Sequence, residues 1–432
     1  MFYKMKIIDV ITKDIRFPTS KEDTGTDAVH VDCDYSATYV TILTDNKSIS
    51  GIGLTFTIGK GNDLCCKSID YFKEFIIGKK ITDVEDNINL IWNKITNHSQ
   101  LRWLGPQKGT THLAAAAFFN AIWDLICKYY KKPLWRYIID LDTDVLINKL
   151  SFTFIEDAIT KEEAANIINN KKQKLPKNLD DLNSTIFPAY TTAAGWLGYS
   201  DDKMQTLVKD YLDHGWKYFK IKIGQDIKRD IHRCKLIRSL IGNENKLMVD
   251  SNQIWNVQES IENINKLKKF DIMFYEEPTN PDDIIGFKKI KNAIPEIKLA
   301  TGEMIHNKVM FKQFIENQSL DYCQIDSCRI ASINEIIPVL LIASKFNIPV
   351  IPHAGGVGLC EYVQHLNLIN KFIISNNSFE LCEYAESCSE HFVNPAIIKD
   401  GGYVTPLEPG YSVKIKDSSI KKYDFKSGDF WT

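Results

Sequence analysis

The chain has little net charge, no paired-cysteine motif and no long apolar run. Across 432 residues, 53 basic side chains almost balance 55 acidic ones, leaving a formal charge of −2. No broad cationic face for nucleic acid or anionic lipid is expected. Ten cysteines contain no Cys-x-x-Cys pair, and several sit in apolar runs. That usage favours buried, reduced thiols in a reducing compartment, with the cytoplasm as the expected location. The apolar runs fall short of a membrane span. The opening Met1-Phe2-Tyr3-Lys4-Met5-Lys6 has neither a secretory apolar core nor an Arg/Ser-rich amphipathic lead.

What is present is a repeated step. Lys220-Ile221-Lys222, Met248-Val249-Asp250, Tyr275-Glu276, Thr301-Gly302-Glu303, Gln324-Ile325-Asp326 and Ile351-Pro352-His353 each close a short apolar run, and a helix-like segment follows each. From Lys222 to His353 the charged positions are spaced by 28, 26, 27, 23 and 27 residues. One strand, one helix and two loops take about that length. The spacing predicts an α/β fold, a TIM (β/α) barrel, with strands near 188–193, 217–223, 246–250, 272–276, 298–302, 321–326, 349–353 and 378–382. In such a barrel the C-terminal strand ends face one site, so Lys, Asp, Glu, Glu, Asp and His converge there.

Before the barrel, alternating patterns predict strands over 6–16, 36–45 and 51–57, and helical periodicity covers 62–77, 85–97 and 111–130. We expect an α+β capping domain over 1–150 and a polar surface insertion over 151–186. The barrel then spans 187–383, and a C-terminal segment, 384–432, packs back on the cap. The Lys171-Lys172-Gln173-Lys174 run is expected as a solvated loop. The long 17–34 connection, rich in Thr and Asp, is expected to act as a binding loop.

Asp250, Glu276 and Glu303 would repel one another unless a cation lay between them. Oxygen ligands on rigid strand ends suit a hard ion such as Mg²⁺. Lys220 and Lys222 share a face, and their proximity together with a metal is expected to lower a lysine pKa and make Lys222 a base. Asp326 is expected to hold one ring nitrogen of His353, which makes His353 an acid. Such a set removes a proton alpha to a carboxylate. It then either reprotonates the carbon, as a racemase or epimerase, or expels the neighbouring hydroxyl, as a dehydratase.

These residues, with Phe17-Pro18-Thr19-Ser20, Trp196-Leu197-Gly198-Tyr199-Ser200, Glu276-Glu277-Pro278 and Pro352-His353-Ala354-Gly355-Gly356, resemble the enolase superfamily, mandelate racemase subgroup. The resemblance covers nearly the whole chain and implies a modified barrel beneath an N-terminal cap. It implies Mg²⁺ held by Asp250, Glu276 and Glu303, Lys222 as base, and His353 with Asp326 as acid. It also implies substrate contacts from Lys220, Glu383, Gly25, Thr26, Asp27 and Tyr35. The implied activity is dehydration of an acid sugar, L-fuconate, to 2-dehydro-3-deoxy-L-fuconate. A homo-oligomer is implied, and a mitochondrial location is also compatible with it. Ile254 and Met304-Ile305 stand where the pattern leads one to expect more polar residues near the site.

Overall fold

The structure is a computed structural model that describes residues 5–105 and 107–432; Met1–Lys4 and Pro106 lie outside the described residues. The cap opens with an antiparallel sheet of β1 (Ile7–Arg16), β2 (Ser36–Thr44) and β3 (Ser50–Thr57) in that order. Helices α1 (Asn62–Asp70), α2 (Ile81–Asp86), α3 (Ile88–Thr96) and α4 (Gly109–Tyr129) cover it. The two expected helices over 62–77 and 85–97 are thus shorter pieces, and a 3-10 turn, Lys73–Phe75, follows α1. Helix α4 lies directly on β3. A Cβ on Gly53 would sit 2.3 Å from the backbone nitrogen of Ala121. Gly53 and the Ala114–Ala117 run therefore act together, and Gly53→Ala would cost about 1–3 kcal/mol in displaced backbone.

Helices α5 (Leu134–Asp140), α6 (Thr143–Lys149) and α7 (Lys161–Lys172) lead toward the barrel. The 151–186 stretch is not a polar excursion. Ile155, Ile159, Ala164 and Ile168 are fully buried, and α7 packs on α13 (Ile333–Lys345). A capping box between Thr160 and Glu163 starts α7. Lys171 and Lys172 end this helix instead of forming a loop, because cations suit a helix C-terminus.

The barrel strands are β4 (Ile186–Thr191), β5 (Tyr218–Lys222), β6 (Lys246–Asp250), β7 (Ile272–Glu276), β8 (Leu299–Thr301), β9 (Tyr322–Cys323) and β10 (Cys382–Tyr384). They pair in parallel from β4 to β9, and β10 closes on β4. The expected seventh strand, 349–353, is reduced to a bridge between Val350 and Cys323. Pro349 and Pro352 have no N–H to give a ladder. The chain still follows the ring: Ile351 and His353 donate backbone N–H groups to Cys323 and Ile325 at 2.8 and 3.0 Å. The eighth strand lies later than expected, which puts Glu383 in its middle.

The helices α8 (Asp201–Asp213), α9 (Ile227–Ile241), α10 (Val257–Leu267), α11 (Ile284–Ala293) and α12 (Lys308–Glu316) start on side-chain caps. Those caps are Ser200, Asp226, Asn256, Asp283 and Asn307. Each satisfies free N–H groups of a first turn, which explains why the βα rhythm is so regular in the chain. Helix α14 (Leu359–Ile369) completes the ring. Tyr190, Met248, Phe274, Ala300, Ile351 and Leu381 fill the barrel interior as one apolar cluster.

The tail adds a hairpin, β11 (Ile398–Lys399) and β12 (Gly402–Val404), to the first half of β4. It then runs past α15 (Asp417–Tyr423) to the cap sheet. Lys13 pairs with Asp424 at 2.7 Å, and the Trp431 indole donates to the Arg16 carbonyl at 3.1 Å. Among the described residues, no helix is long and apolar enough to cross a membrane.

Candidate active site

The strand ends place a layer of charge at the barrel mouth. Lys220 Nζ donates to both Glu276 oxygens at 2.7 and 2.8 Å and lies 2.8 Å from Glu383 Oε1. Lys222 Nζ donates to Asp250 Oδ2 at 2.5 Å. Glu383 also accepts from the Thr192 hydroxyl at 2.5 Å and from the Ala354 N–H at 2.9 Å. Gln324 Nε2 donates to Glu276 Oε2 at 2.7 Å. Gly302 lets the chain turn from β8 to Glu303: its φ is +153°, and a Cβ would sit 2.4 Å from the Gln324 carbonyl oxygen.

Asp250, Glu276 and Glu303 each bring one oxygen to within 4.8 Å of the others. Glu303 Oε2 is buried and accepts no hydrogen bond. Asp250, Glu276, Glu303 and Glu383 face two ammonium groups and the His353 imidazole, so the carboxylates of the layer outnumber its cations. Its titration shows the strain. Burial and then the charge on Asp250 push Glu276 well above the usual carboxylate range, while Asp250 is held below it despite burial, chiefly by Lys222. An all-oxygen set with one free buried acceptor and excess negative charge fits a hard divalent cation.

The lysines depart from expectation. Burial opposes their charge, yet Glu276 and Glu383 hold Lys220, and Asp250 holds Lys222, above the ordinary lysine value. Carboxylates 2.5–2.8 Å away outweigh the mutual repulsion of the two ammonium groups.

Opposite this layer, His353 Nδ1 meets Asp326 Oδ2 at 2.7 Å. The other Asp326 oxygen accepts the N–H groups of Cys328 and Arg329, each at 2.7 Å. Burial alone would lower the His353 pKa, but Glu303 and then the Asp326 hydrogen bond raise it to about 9. His353 Nε2 lies 3.4 Å from Glu303 Oε2. A cavity of about 250 Å³ connects these groups with the cap.

Gly25, Asp27, Tyr35, Lys222, Glu303, Asp326, His353 and Glu383 all line that cavity. Lys220, Asp250 and Glu276 are buried and are not among its lining residues. Thr26 turns away from it: its hydroxyl donates to the Asp23 carbonyl and accepts from the Gly198 N–H. Its carbonyl accepts from Leu197, so Thr26 seats the loop on the barrel. Met304 lines the cavity, Ile254 is half-exposed and Ile305 is fully buried. Sequence reading passed over Asn252, Gln324 and His30. Asn252 and Gln324 lie just past the ends of β6 and β9, in the loops that carry the site. Nothing in the pattern marked His30.

The family model for the enolase C-terminal domain-like fold matches residues 203–419. A Xenopus laevis protein, mitochondrial enolase superfamily member 1, is 46% identical over 430 residues, covering 99% of this chain and 97% of its own. The chain belongs to the enolase superfamily. Another superfamily relative, the L-galactonate dehydratase of Hypocrea jecorina, is 43% identical and covers 98% of this chain and 95% of its own. The crystal structure of human mitochondrial enolase superfamily member 1 superposes with a TM-score of 0.96 at 42% identity, covering 99% of this chain and 98% of that one. The enolase fold of cap and barrel therefore holds across the whole chain.

Proposed function

We propose that this enolase superfamily member is a Mg²⁺-dependent acid-sugar dehydratase that converts L-fuconate to 2-dehydro-3-deoxy-L-fuconate and water. One observation carries the reading: Lys222 and the Asp326–His353 pair line a single cavity, beside a cluster in which carboxylates outnumber cations. Asp250, Glu276 and Glu303 would hold the ion. When bound, Mg²⁺ supplies charge that offsets these carboxylates and the negative charge that grows on the substrate's carboxyl group.

Asp250 holds Lys222 charged; with that carboxylate committed to the ion, the neutral amine of Lys222 takes the proton from C2, and the electron pair moves toward the carboxyl group. His353, charged near neutral pH, gives a proton to the C3 hydroxyl as the C3–O bond breaks and water leaves. The resulting enol becomes the 2-keto acid by tautomerisation. Asp326 keeps the His353 ring oriented and favours its protonated form. Lys220 and Glu383 bracket the layer. Phe56, Ile58 and Leu113 give the cap side of the cavity an apolar wall, which suits the methyl end of a 6-deoxy acid better than the hydroxymethyl end of L-galactonate.

The test incubates the purified protein with Mg²⁺ and either L-fuconate or L-galactonate and assays 2-keto-3-deoxy acid. Keto acid from both, with higher kcat/KM for L-fuconate, is expected. Epimerised substrate without keto acid would replace this reading with that of a racemase.

A further inference from the structure

The cap meets the cavity through a loop built around one carboxylate. Asp27 Oδ1 accepts the backbone N–H groups of Val29 and His30, each at 2.7 Å. Its Oδ2 meets His30 Nδ1 at 2.9 Å. Asp27 is only 6% exposed, and both its oxygens are engaged within the loop. It is poorly placed to give a hydrogen bond to a ligand, since an ionised carboxylate has no donor. The imidazole differs. Its Nδ1 is held, its ring lines the cavity together with Lys222, Glu303 and His353, and its side chain is 32% exposed. No described residue bonds to Nε2. The Asp27 bond outweighs burial and raises the His30 pKa, and Glu303 adds to that effect. With Nδ1 held by Asp27, Nε2 is the ring atom left to hydrogen-bond a group in the cavity.

We infer that His30 is the cap residue that reads the far end of the sugar chain, hydrogen-bonding through Nε2 to a hydroxyl beyond C4, with Asp27 as its positioning residue. The inference rests on the acid-sugar reading. The reacting C1–C3 end must lie by Lys222 and His353 at the barrel mouth, so the remaining carbons extend toward the cap. Thr26 anchors the same loop to Leu197 and Gly198, which fixes His30 relative to the barrel. A four-carbon acid has no hydroxyl to offer there, so His30 contributes selectivity for longer chains and leaves the chemical step alone.

The experiment compares L-fuconate with a four-carbon acid of the same configuration at C2 and C3, with Mg²⁺ present. Parent enzyme, His30→Phe, His30→Gln and Asp27→Asn are measured on both. His30→Phe keeps an aromatic ring at the position and removes Nε2. Its KM for L-fuconate should rise roughly 5- to 10-fold, as for loss of one hydrogen bond, with kcat little changed. Kinetics on the four-carbon acid should stay near those of the parent. His30→Gln should recover part of the loss, and Asp27→Asn should show the same chain-length pattern as His30→Phe. Equal loss on both acids, or no loss on either, overturns the assignment while parent turnover leaves the dehydratase reading standing. Turnover of neither acid by the parent sinks both.

Discussion

Two buried charge clusters in this molecule obey different rules. At the seam between cap and barrel, Glu335 on α13 is fully buried and fully satisfied. Its Oε2 accepts from His112 at 2.7 Å and from the Ala331 N–H at 2.9 Å, and its Oε1 accepts from the Lys308 N–H at 3.0 Å. Lys308 Nζ donates to Gln107 at 3.2 Å and lies 4.6 Å above the Trp92 ring. Burial would raise the Glu335 pKa, yet His112 and Lys308 pull it down to about 2. At the barrel mouth, four carboxylates share two lysines and the edge of the His353 ring, Glu276 is pushed up while Asp250 is held down, and Glu303 Oε2 accepts no hydrogen bond. A closed network ties two domains together. An open one keeps capacity for a cation and a substrate.

The largest expected effect breaks the open cluster. Lys222→Ala removes the base, so keto-acid formation and exchange of the C2 hydrogen in D₂O should both fall by roughly 10⁴-fold. His353→Asn should lower dehydration by about 10²–10⁴-fold while exchange survives, because the base remains. Exchange kept by the Lys222 variant and lost by the His353 variant would reverse the two roles.

Breaking the closed cluster should act on stability instead. Glu335→Ala leaves Lys308 and His112 without their shared anion, and about 3–5 kcal/mol of unfolding free energy should be lost in urea titrations. The kcat of the folded fraction should stay near that of the parent; a selective loss of turnover would show that the seam belongs to the site.

Supplying the missing charge sharpens the comparison. Mg²⁺ at 100 times its Kd should stabilise the parent by about 2.7 kcal/mol, read as a rise in melting temperature. Glu276→Gln should abolish that rise, and exhaustive chelation should end turnover. Full activity in chelated buffer contradicts the assignment of the carboxylates.

The last case lies between the two clusters. Glu361 is buried, and the Ala396 N–H donates to its carboxylate at 3.2 Å. Burial raises its pKa from 4.5 to about 7. A carboxyl raised on folding contributes stability that is fully present below 4.5 and is lost as pH rises through about 7. Glu361→Gln should therefore gain on the order of 3 kcal/mol at pH 8 relative to the parent, and almost nothing at pH 4. A gain that is equal at both values would mean that the carboxyl does not titrate in this range.

Much of the site was legible because strand ends recur. The step from Lys222 to His353 marked where charge would gather, and side-chain caps such as Asp226 and Asn256 follow from local backbone needs. The short strands were less legible. At Pro349 and Pro352 the missing N–H groups broke the seventh strand to a bridge, and β11–β12 carry too few residues to show a period.

The sequence by itself determined the βα rhythm, the position of each ionisable group on it, and the chemical kind of those groups. These follow from local chain geometry, which repeats every two or every 3.6 residues. Only the tertiary structure decided how the charges were shared. It set Lys220 against Glu276 and Glu383, and Lys222 against Asp250, reversing the expected direction of the lysine shifts. It turned Thr26 outward, occupied both oxygens of Asp27 within the loop, and brought His30 to the cavity. Electrostatic sign depends on distances of a few ångströms between residues far apart in the chain, and no periodicity encodes those distances.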